Sequence, residues 1–290
     1  SPAEVLALSV AAYDLAIAPS GSIHLGYVRS EAVPDYPAGV YTRLRMGGVW
    51  FQPAGVFASK YLRGVGIGAV DLSIAAASDG RVFLAWNEPA REKHYLAASA
   101  DGAIWADADV IDQRQPGDGH GQGPARPMLL AQPNALVLTW QAGHSGVNCA
   151  HYMQISQDGA LSWGERQTLP APFDQSCAQS ARPLRFSDGE NWLALQRSDG
   201  LFLSAWDGER LAWSPALAQT GLVGFTHPET FRQVNLDCLI LAAGESDLYA
   251  AGCEGAQFGD VWLLSRSRGQ VTDWFPAPAV PSPWGEPLAS

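Results

Sequence analysis

SQDGALSW, residues 156–163, lies between two short runs of alternating residues, HYMQI before it and ERQTL after it. Such alternation indicates strands, so the segment is predicted to be a hairpin turn. A turn needs only the Asp and the Gly, because Asp caps its own amides and Gly accepts positive φ. The Ser and the Trp therefore require a further explanation.

The Trp belongs to a series that runs through the whole chain. A Trp closes a similar segment at intervals of 55, 58, 50 and 61 residues, at Trp50, Trp105, Trp163, Trp213 and Trp274. The first tight turn of each unit recurs at similar spacing, at Gly21, Gly80, Asn134, Gly189 and Ser246. A period above about 40 residues built from short strands is typical of a β-propeller.

Each unit reads as four strands. In the second unit, VDLSIAAA, RVFLAWNE, HYLAASA and ADADVI are separated by Gly and Asp turns, and no segment sustains a capped helical period. We predict an all-β fold, a single propeller domain over residues 1–290 with five four-stranded blades of about 56 residues. The predicted blades span approximately 5–60, 61–114, 115–172, 173–221 and 222–280.

The quoted turn resembles the Asp-box (BNR) repeat of the sialidase-like propellers, which reads Ser-x-Asp-x-Gly-x-Thr-Trp between a third and a fourth strand. Ser156, Asp158, Ser162 and Trp163 fit this pattern, with the Gly one place later. SADGAIW is a copy one residue shorter, with Ser99, Asp101 and Trp105. Asp and Ser oxygens are expected to hold the backbone amides of the turn, while the Trp packs onto the blade.

The resemblance implies more about fold than about chemistry. In this family the box is structural and lies away from the active site. The family usually has six blades, whereas the sequence contains five units. Five blades are our first prediction, and a sixth blade built from irregular ends or lost by truncation is the alternative.

Composition and charge exclude several classes of function. Hydrophobic residues make up 47% of the chain and charged residues 16%, which is typical of a packed protein rather than a disordered one. The net charge of −11 makes nucleic acid and anionic membranes poor partners. No apolar run approaches a membrane helix, and no leader precedes SPAEVL, so we expect a soluble chain, mature or trimmed.

The four cysteines suggest two disulfides. Counting outward from the turn GESD places Cys238 opposite Cys253 on paired strands, within disulfide reach. Cys149 and Cys177 lie in polar segments that can meet as neighbouring loops. Two disulfides would indicate an oxidising compartment, that is, an extracellular, periplasmic or cell-surface location. Four free buried thiols are the alternative.

A propeller gathers the starts of its innermost strands around a central channel. The repeat alignment places five charged residues there: Asp14, Asp71, Arg126, Arg182 and Arg232. Loops after the second strands contribute Glu88, Trp86, Trp140 and His144 to the same face. Trp86, Trp140 and Tyr61 are expected to stack on sugar faces, with the arginines and His144 binding the ligand.

Three interpretations of these residues remain open. The resemblance to sialidases implies that Arg126 and Arg182, with Arg232 or Arg63 as a third, grip a carboxylate, although no Arg-Ile-Pro motif lies near the first blade and no Tyr/Glu nucleophile pair can be assigned. Alternatively, Asp14, Asp71 and Glu88 supply the acid pair of a glycosidase. The third interpretation is structural: acids and arginines pair with each other and fill the channel.

Other signals are weaker. The Gly-rich loop 115–124 is interpreted as a flexible linker between blades, or alternatively as a lid carrying Asp118 and His120. No His or Cys spacing indicates a catalytic metal, and no cofactor is expected. A structural calcium ion held by loop oxygens is an open alternative.

Our first functional prediction is an exposed or secreted propeller that binds a carbohydrate or a protein ligand on its axial face. A glycoside hydrolase, either of the acid-pair type or sialidase-like, is the alternative. A non-catalytic scaffold domain of a larger surface protein is the second alternative. We expect a monomer or a part of a larger chain, without membrane insertion.

Overall fold

The computed structural model describes residues 6–62, 69–144, 147–178, 180–186, 189–197, 200–219, 223–226, 233–243, 247–254, 261–267 and 275–276. Apart from one short 3-10 segment, Pro89–Arg91, the regular structure of these residues is β. They contain five antiparallel sheets, each built from strands that follow one another in sequence. The chain divides into two compact units, Ser1–Cys177 and Ala178–Ser290.

The first unit contains three sheets. Sheet 1 comprises β1 (Val10–Ile17), β2 (Ile23–Arg29), β3 (Gly39–Met46), β4 (Val49–Trp50) and β5 (Ala54–Ala58), and both β4 and β5 pair with β3. Sheet 2 comprises β6 (Leu72–Ala76), β7 (Val82–Glu88), β8 (Lys93–Ser99) and β9 (Asp109–Gln113). Sheet 3 comprises β10 (Ala125–Ala131), β11 (Leu136–Ala142), β12 (Ala150–Ser156) and β13 (Gln167–Thr168).

The second unit contains two sheets. Sheet 4 comprises β14 (Ser180–Arg185), β15 (Asn191–Arg197), β16 (Gly200–Asp207), β17 (Ala212–Trp213) and β18 (Leu217–Gln219). Sheet 5 comprises β19 (Val223–Thr226), β20 (Gln233–Ala243), β21 (Asp247–Glu254), β22 (Val261–Ser267) and β23 (Phe275–Pro276). Leu184 and Leu203 of sheet 4 share a core with Leu248 of sheet 5.

Sheet 2 lies between sheets 1 and 3, and its second strand is buried on both faces. Leu84 and Trp86 pack in the core shared with sheet 1, whereas Phe83 and Ala85 pack in the core shared with sheet 3. The run VFLAW therefore reads as continuously apolar, because neither face meets water. Each buried large side chain contributes about 1.5–3 kcal/mol by leaving water.

The two ends of each sheet in the first unit differ in character. We call one the loop end, where the first strand begins and the second strand ends; in sheet 2, Leu72 of β6 pairs there with Trp86 of β7. The opposite end, the turn end, carries the tight hairpin turns of Gly21 and Gly80, both at positive φ. The predicted Ser-Asp turns, which follow β8 and β12, also lie at the turn end.

The two Ser-Asp turns are held by their own side chains, as the sequence predicted. In the segment 156–163, Ser156 Oγ accepts the Ala160 amide at 2.8 Å, and Asp158 Oδ1 accepts the Ser162 amide at 2.9 Å. Asp101 likewise accepts the amides of Ala103 and Ile104, at 2.8 and 3.1 Å. Trp105 and Trp163 are partly buried against the cores of sheets 1 and 2 and of sheets 2 and 3.

Each of these turns also docks on the preceding sheet through a glycine. Gly102 and Gly159 have φ of 77° and 75°, which only glycine adopts freely. A Cβ at Gly102 would overlap the ring of His24 in β2. A Cβ at Gly159 would overlap the guanidinium of Arg81, which also donates to the Gly159 carbonyl at 3.4 Å.

Within the part of the chain that the structure describes, no helix has the length and apolar character needed to cross a membrane.

Candidate functional site

Asp71 is one of the three acids predicted for the site. It lies directly before β6 at the loop end of sheet 2, and it is only partly buried. Burial raises the pKa of its carboxyl, although the Arg126 charge and the Arg126 backbone N–H oppose that shift. A carboxyl with a raised pKa keeps its proton to higher pH, as a general acid requires.

The Asn87 side chain fixes the backbone that carries Asp71. Its Oδ1 accepts the Asp71 amide at 2.6 Å, and its Nδ2 donates to the Ala69 carbonyl at 3.0 Å. Asn87 is 1% exposed at the loop end of β7. A buried amide with both ends bonded holds the entry to β6 in one position.

Arg126 stands in a strained position opposite Asp71. Its φ is 52°, in the left-handed region, and the register of β10 against β11 shifts between Ala125 and Met128. Bulges of this kind redirect side chains and are frequent beside active sites. The charge of Arg126 also acts on His151, whose pKa falls to about 3, chiefly through burial.

Glu88 and Asp14 lie elsewhere, between sheets 1 and 2. Glu88 has no exposed surface; it accepts hydrogen bonds from Ser59 Oγ and, at 3.0 Å, from Tyr95 Oη. Asp14 Oδ2 accepts the Ile74 amide of β6 at 3.0 Å, and its Oδ1 accepts the Leu15 amide at 2.9 Å. Asp14 thus ties β1 to β6, whereas Asp71 faces sheet 3.

Two of the three predicted stacking residues, Trp86 and Trp140, are corrected by the structure. Trp86 and Trp140 each have 0% exposure, because they fill the cores on either side of sheet 2. The Arg91 guanidinium covers the Tyr61 ring, 4.4 Å from its centre, and Lys60 lies 5.3 Å from the same centre. Neither tryptophan can meet a sugar, whereas Tyr61 is only partly buried and its predicted contact with a ligand stays a prediction.

His144, predicted to bind ligand, forms a buried ionic cluster with 1% of its surface exposed. Its Nδ1 lies 2.7 Å from Asp118 Oδ2, and its Nε2 lies 2.8 Å from Asp112 Oδ2. Carboxylates only accept, so both ring nitrogens donate and the imidazole is charged. Burial opposes that charge, but hydrogen bonds to Asp112 and Asp118 prevail and raise the pKa of His144.

Asp112 links this cluster to two further residues. Trp140 Nε1 donates to Asp112 Oδ2 at 2.7 Å, and Arg166 Nη1 lies 3.3 Å from Oδ1. Burial opposes ionisation of Asp112, yet the hydrogen bonds from His144 and Trp140 lower its pKa. Two carboxylates therefore face two cations, and the cluster balances its own charge.

The same contacts bind the loop 115–124, predicted to be a flexible linker or a lid, to neighbouring strands and loops. Asp118 Oδ2 also accepts the Gln115 amide at 2.8 Å, and the Gly121 amide donates to Glu92 at 2.7 Å. The Gly143 amide donates to the Gln122 carbonyl at 2.8 Å, which joins the loop to the end of β11. The His120 side chain is 93% exposed and makes only a 3.9 Å contact with Glu92 among the described residues.

The remaining predicted residues belong to other regions. Arg182 is exposed on β14 in the second unit, and Arg63 and Arg232 lie outside the described residues. Cys149 and Cys177 form a disulfide with a Cα–Cα distance of 5.5 Å, which confirms that prediction. The backbone register places Cys253 opposite Asp237 rather than Cys238, beside a shift in β20; the side chains of Cys238 and Cys253 lie outside the described residues.

No group of three or more His, Cys, Asp or Glu in the described ranges is arranged to hold a metal ion. The alternative of a structural calcium ion stays a prediction.

Sequence reasoning missed Asn87, Arg91, Lys60 and Asp112. Arg91 follows a Pro in the loop EPAREKH, and Lys60 adjoins Tyr61 in SKYLRG, but only packing brings them together. Asp112 reads as one more acid in a polar fourth strand. None of these residues lies in a recognisable sequence motif.

Comparison with solved structures identifies similar folds. An alpha-L-arabinanase from Penicillium chrysogenum, complexed with arabinobiose, has a TM-score of 0.55 at 14% identity, over 95% of this chain and 83% of that one. An alpha-L-arabinofuranosidase from Fusarium graminearum has a TM-score of 0.57 at 9% identity, over 92% and 80%. The NanB sialidase from Streptococcus pneumoniae has a TM-score of 0.56 at 10% identity, over 88% and 58%.

These likenesses show the fold. The chain is an all-β protein of the propeller type, and the predicted propeller fold is confirmed. The number of blades stays a prediction. Comparison of the sequence with protein-family models and with curated proteins found no match.

Proposed function

We propose that this protein is a glycoside hydrolase with Asp71 as its general acid. The observation that supports this proposal is the part-buried Asp71 carboxyl, whose pKa burial raises, facing the strained Arg126 at the loop end of sheet 2. Propeller enzymes of similar fold include an arabinanase, an arabinofuranosidase and a sialidase. That likeness favours hydrolysis over our first prediction of binding alone.

In the proposed reaction the Asp71 carboxyl donates its proton to the glycosidic oxygen as the bond to the sugar carbon breaks. A second carboxylate must activate water or attack the sugar, at about 5–9.5 Å from the acid. Asp14 and Glu88 remain the proposed partners, and substrate binding would have to release either of them from its present hydrogen bonds. Arg126 would stabilise the ionised Asp71 after proton transfer.

We also propose a compartment for the enzyme and a family assignment for its two Ser-Asp turns. The Cys149–Cys177 disulfide is consistent with an oxidising compartment, so we place the enzyme outside the cytoplasm. The hydrogen bonding within 99–105 and 156–163 supports their assignment as Asp-box turns.

Asp71→Asn tests the proposed acid. We expect kcat to fall by about 10²–10⁴-fold, because the amide cannot donate a carboxyl proton. Proton NMR of the protein with arabinan, neutral and sialylated oligosaccharides would report hydrolysis as new anomeric signals and binding as saturation transfer. Asp79→Asn is the matched control, since Asp79 is an exposed carboxylate at the turn end of the same sheet.

The second carboxylate is identified by rescue. Azide should restore turnover to Asp14→Ala or Glu88→Ala, whichever removes the group that acts on the sugar carbon or its water. Hydrolysis that is unchanged in Asp71→Asn would refute the proposed acid. Saturation transfer without any new anomeric signal would instead favour the carbohydrate-binding prediction.

A further inference from the structure

A cationic surface lies at the loop end of sheet 2, the end that also carries Asp71, and the reaction proposed above does not use it. It consists of Lys60, Tyr61 and Arg91, and we call it the Lys60–Arg91 surface. The guanidinium of Arg91 is 4.4 Å, and the ammonium of Lys60 is 5.3 Å, from the centre of the Tyr61 ring. The two cations therefore lie within about 10 Å of each other.

Both cations are open to solvent. The Arg91 side chain is 48% exposed, and Lys60 is exposed after β5. Arg91 ends the 3-10 segment that follows β7, so it lies at the loop end of sheet 2, as Asp71 does. A ligand that reaches the loop end can meet this surface without any rearrangement of the core.

The positive charge is only weakly compensated. Lys60 makes no ion pair with any described residue, and the carboxylate nearest Arg91 is the wholly buried Glu88, at 3.9 Å. The chain carries a net charge of −11, which repels anions in general. Two accessible cations on such a protein create a local positive potential that attracts anions.

The ring orders the two cations. Cation–π contacts hold the guanidinium and the ammonium near one aromatic ring, which lowers the entropy that binding would cost. The N–H edge of a guanidinium matches a carboxylate with two parallel hydrogen bonds, and part of the Arg91 edge already interacts with the Tyr61 and Glu88 side chains.

Resting on the hydrolase function proposed above, we propose that the Lys60–Arg91 surface binds the carboxylate of an acidic sugar, so that the substrate is an acidic glycan. Arg91 grips the carboxylate with its N–H edge, and Lys60 adds a second charge. Tyr61 is a positioning residue that holds both cations. A sulfate ester would present the same negative charge without the planar match to the guanidinium.

Binding is measured by calorimetry in the Asp71→Asn chain, so that hydrolysis does not interfere. The probes are a galacturonic acid trisaccharide, a sulfated galactose trisaccharide and neutral arabinotriose. We expect the Lys60→Gln/Arg91→Gln double substitution to weaken galacturonate binding by about tenfold and to leave arabinotriose binding unchanged. Arg91→Lys should lose part of the affinity, because it keeps the charge without the fork.

Arg210→Gln is the matched control, since it removes one charge from an 84% exposed arginine in the second unit. Galacturonate binding that is absent, equal to arabinotriose binding, or insensitive to the double substitution overturns the inference, even if neutral glycans are hydrolysed. Tighter binding of the sulfated probe overturns the choice of carboxylate. Galacturonate binding that depends on both cations supports the inference, even if no glycan is cleaved.

Discussion

Buried histidines in the first unit respond to pH in opposite directions. His94 in β8 has no exposed surface, and neither ring nitrogen has a hydrogen-bond partner in the described structure. Burial lowers the pKa of His94 to about 4, against a weaker opposing effect of Asp112. The pKa of His144 is raised instead, against the effect of burial, by its hydrogen bonds to Asp112 and Asp118. The charged His144 therefore stabilises the fold below the pKa that this histidine has in the unfolded chain. That stabilisation is lost as the pH rises through the pKa of His144 in the folded chain.

We predict that His94 makes the fold sensitive to acid. The unfolded chain binds this proton near pH 6.5 and the folded chain near pH 4. Unfolding therefore takes up a proton between these values, and the free energy of unfolding falls as pH drops through that window. The loss attributable to His94 is about 3 kcal/mol.

Urea unfolding between pH 6.5 and 4 measures this contribution in His94→Leu against the unsubstituted chain. The substitution removes the titrating ring, so the unfolding free energy should fall less steeply with acid. His120→Gln is the control, because the His120 side chain is 93% exposed. Equal slopes in His94→Leu and the unsubstituted chain would contradict the prediction.

At the scale of the element, the Ser-Asp turn serves both its own sheet and the preceding one. Its Asp and Ser oxygens satisfy its own amides, and its glycine lies against a side chain of the sheet before it. The pattern occurs twice, as Gly102 on His24 and Gly159 on Arg81. Glycine is thus required at these two positions because it has no Cβ to overlap the neighbouring side chain and because it adopts positive φ.

We predict that Gly102→Ala destabilises the fold more than Gly80→Ala does. Both glycines have positive φ, but nothing lies within 4 Å of a Cβ placed at Gly80. Gly80→Ala should cost about 1 kcal/mol from the backbone alone, and Gly102→Ala about 2–4 kcal/mol because the new methyl meets His24. Equal losses in urea unfolding would rule out the packing argument, and a His24→Ala background should relieve the difference.

Turns and strands were predictable from the sequence, whereas burial within the site was not. Asp158 and Ser156 sit at fixed offsets in a local turn, so their hydrogen bonds follow from a few neighbouring residues. Trp86 and Trp140 alternate as strand residues would, but sheet 2 is covered on both faces, and alternation then carries no signal for exposure. The meeting of Arg91 with Tyr61 depends on loop packing 30 positions apart in sequence, which no motif records.

At the scale of the molecule, the disulfide closes the end of the first unit. Cys177 is the last residue of that unit, and Cys149 precedes β12, 28 positions earlier. The bond therefore anchors the chain that leaves sheet 3 to the loop between β11 and β12. In the unfolded state the same bond restricts a sizeable loop.

We predict that Cys149→Ser/Cys177→Ser lowers the free energy of unfolding by about 3–4 kcal/mol, the loop entropy expected for this separation. Urea unfolding with and without reductant provides the measurement. Reductant should destabilise the unsubstituted chain by a similar amount. Any reductant effect that persists in the substituted chain would report on Cys238 and Cys253, and equal stability of the two oxidised chains would refute the prediction.

Every sheet in the described structure is assembled from strands that are consecutive in sequence. Most strand pairing therefore joins residues that leave the ribosome within a short time of one another. Pairing between consecutive strands keeps the loop that closes each hairpin short, and sheets 1, 2 and 3 can form in the order of synthesis, each offering its apolar face to the next. The exposed edge of an incomplete sheet is then present only briefly, which limits aggregation of a nascent chain rich in β-structure.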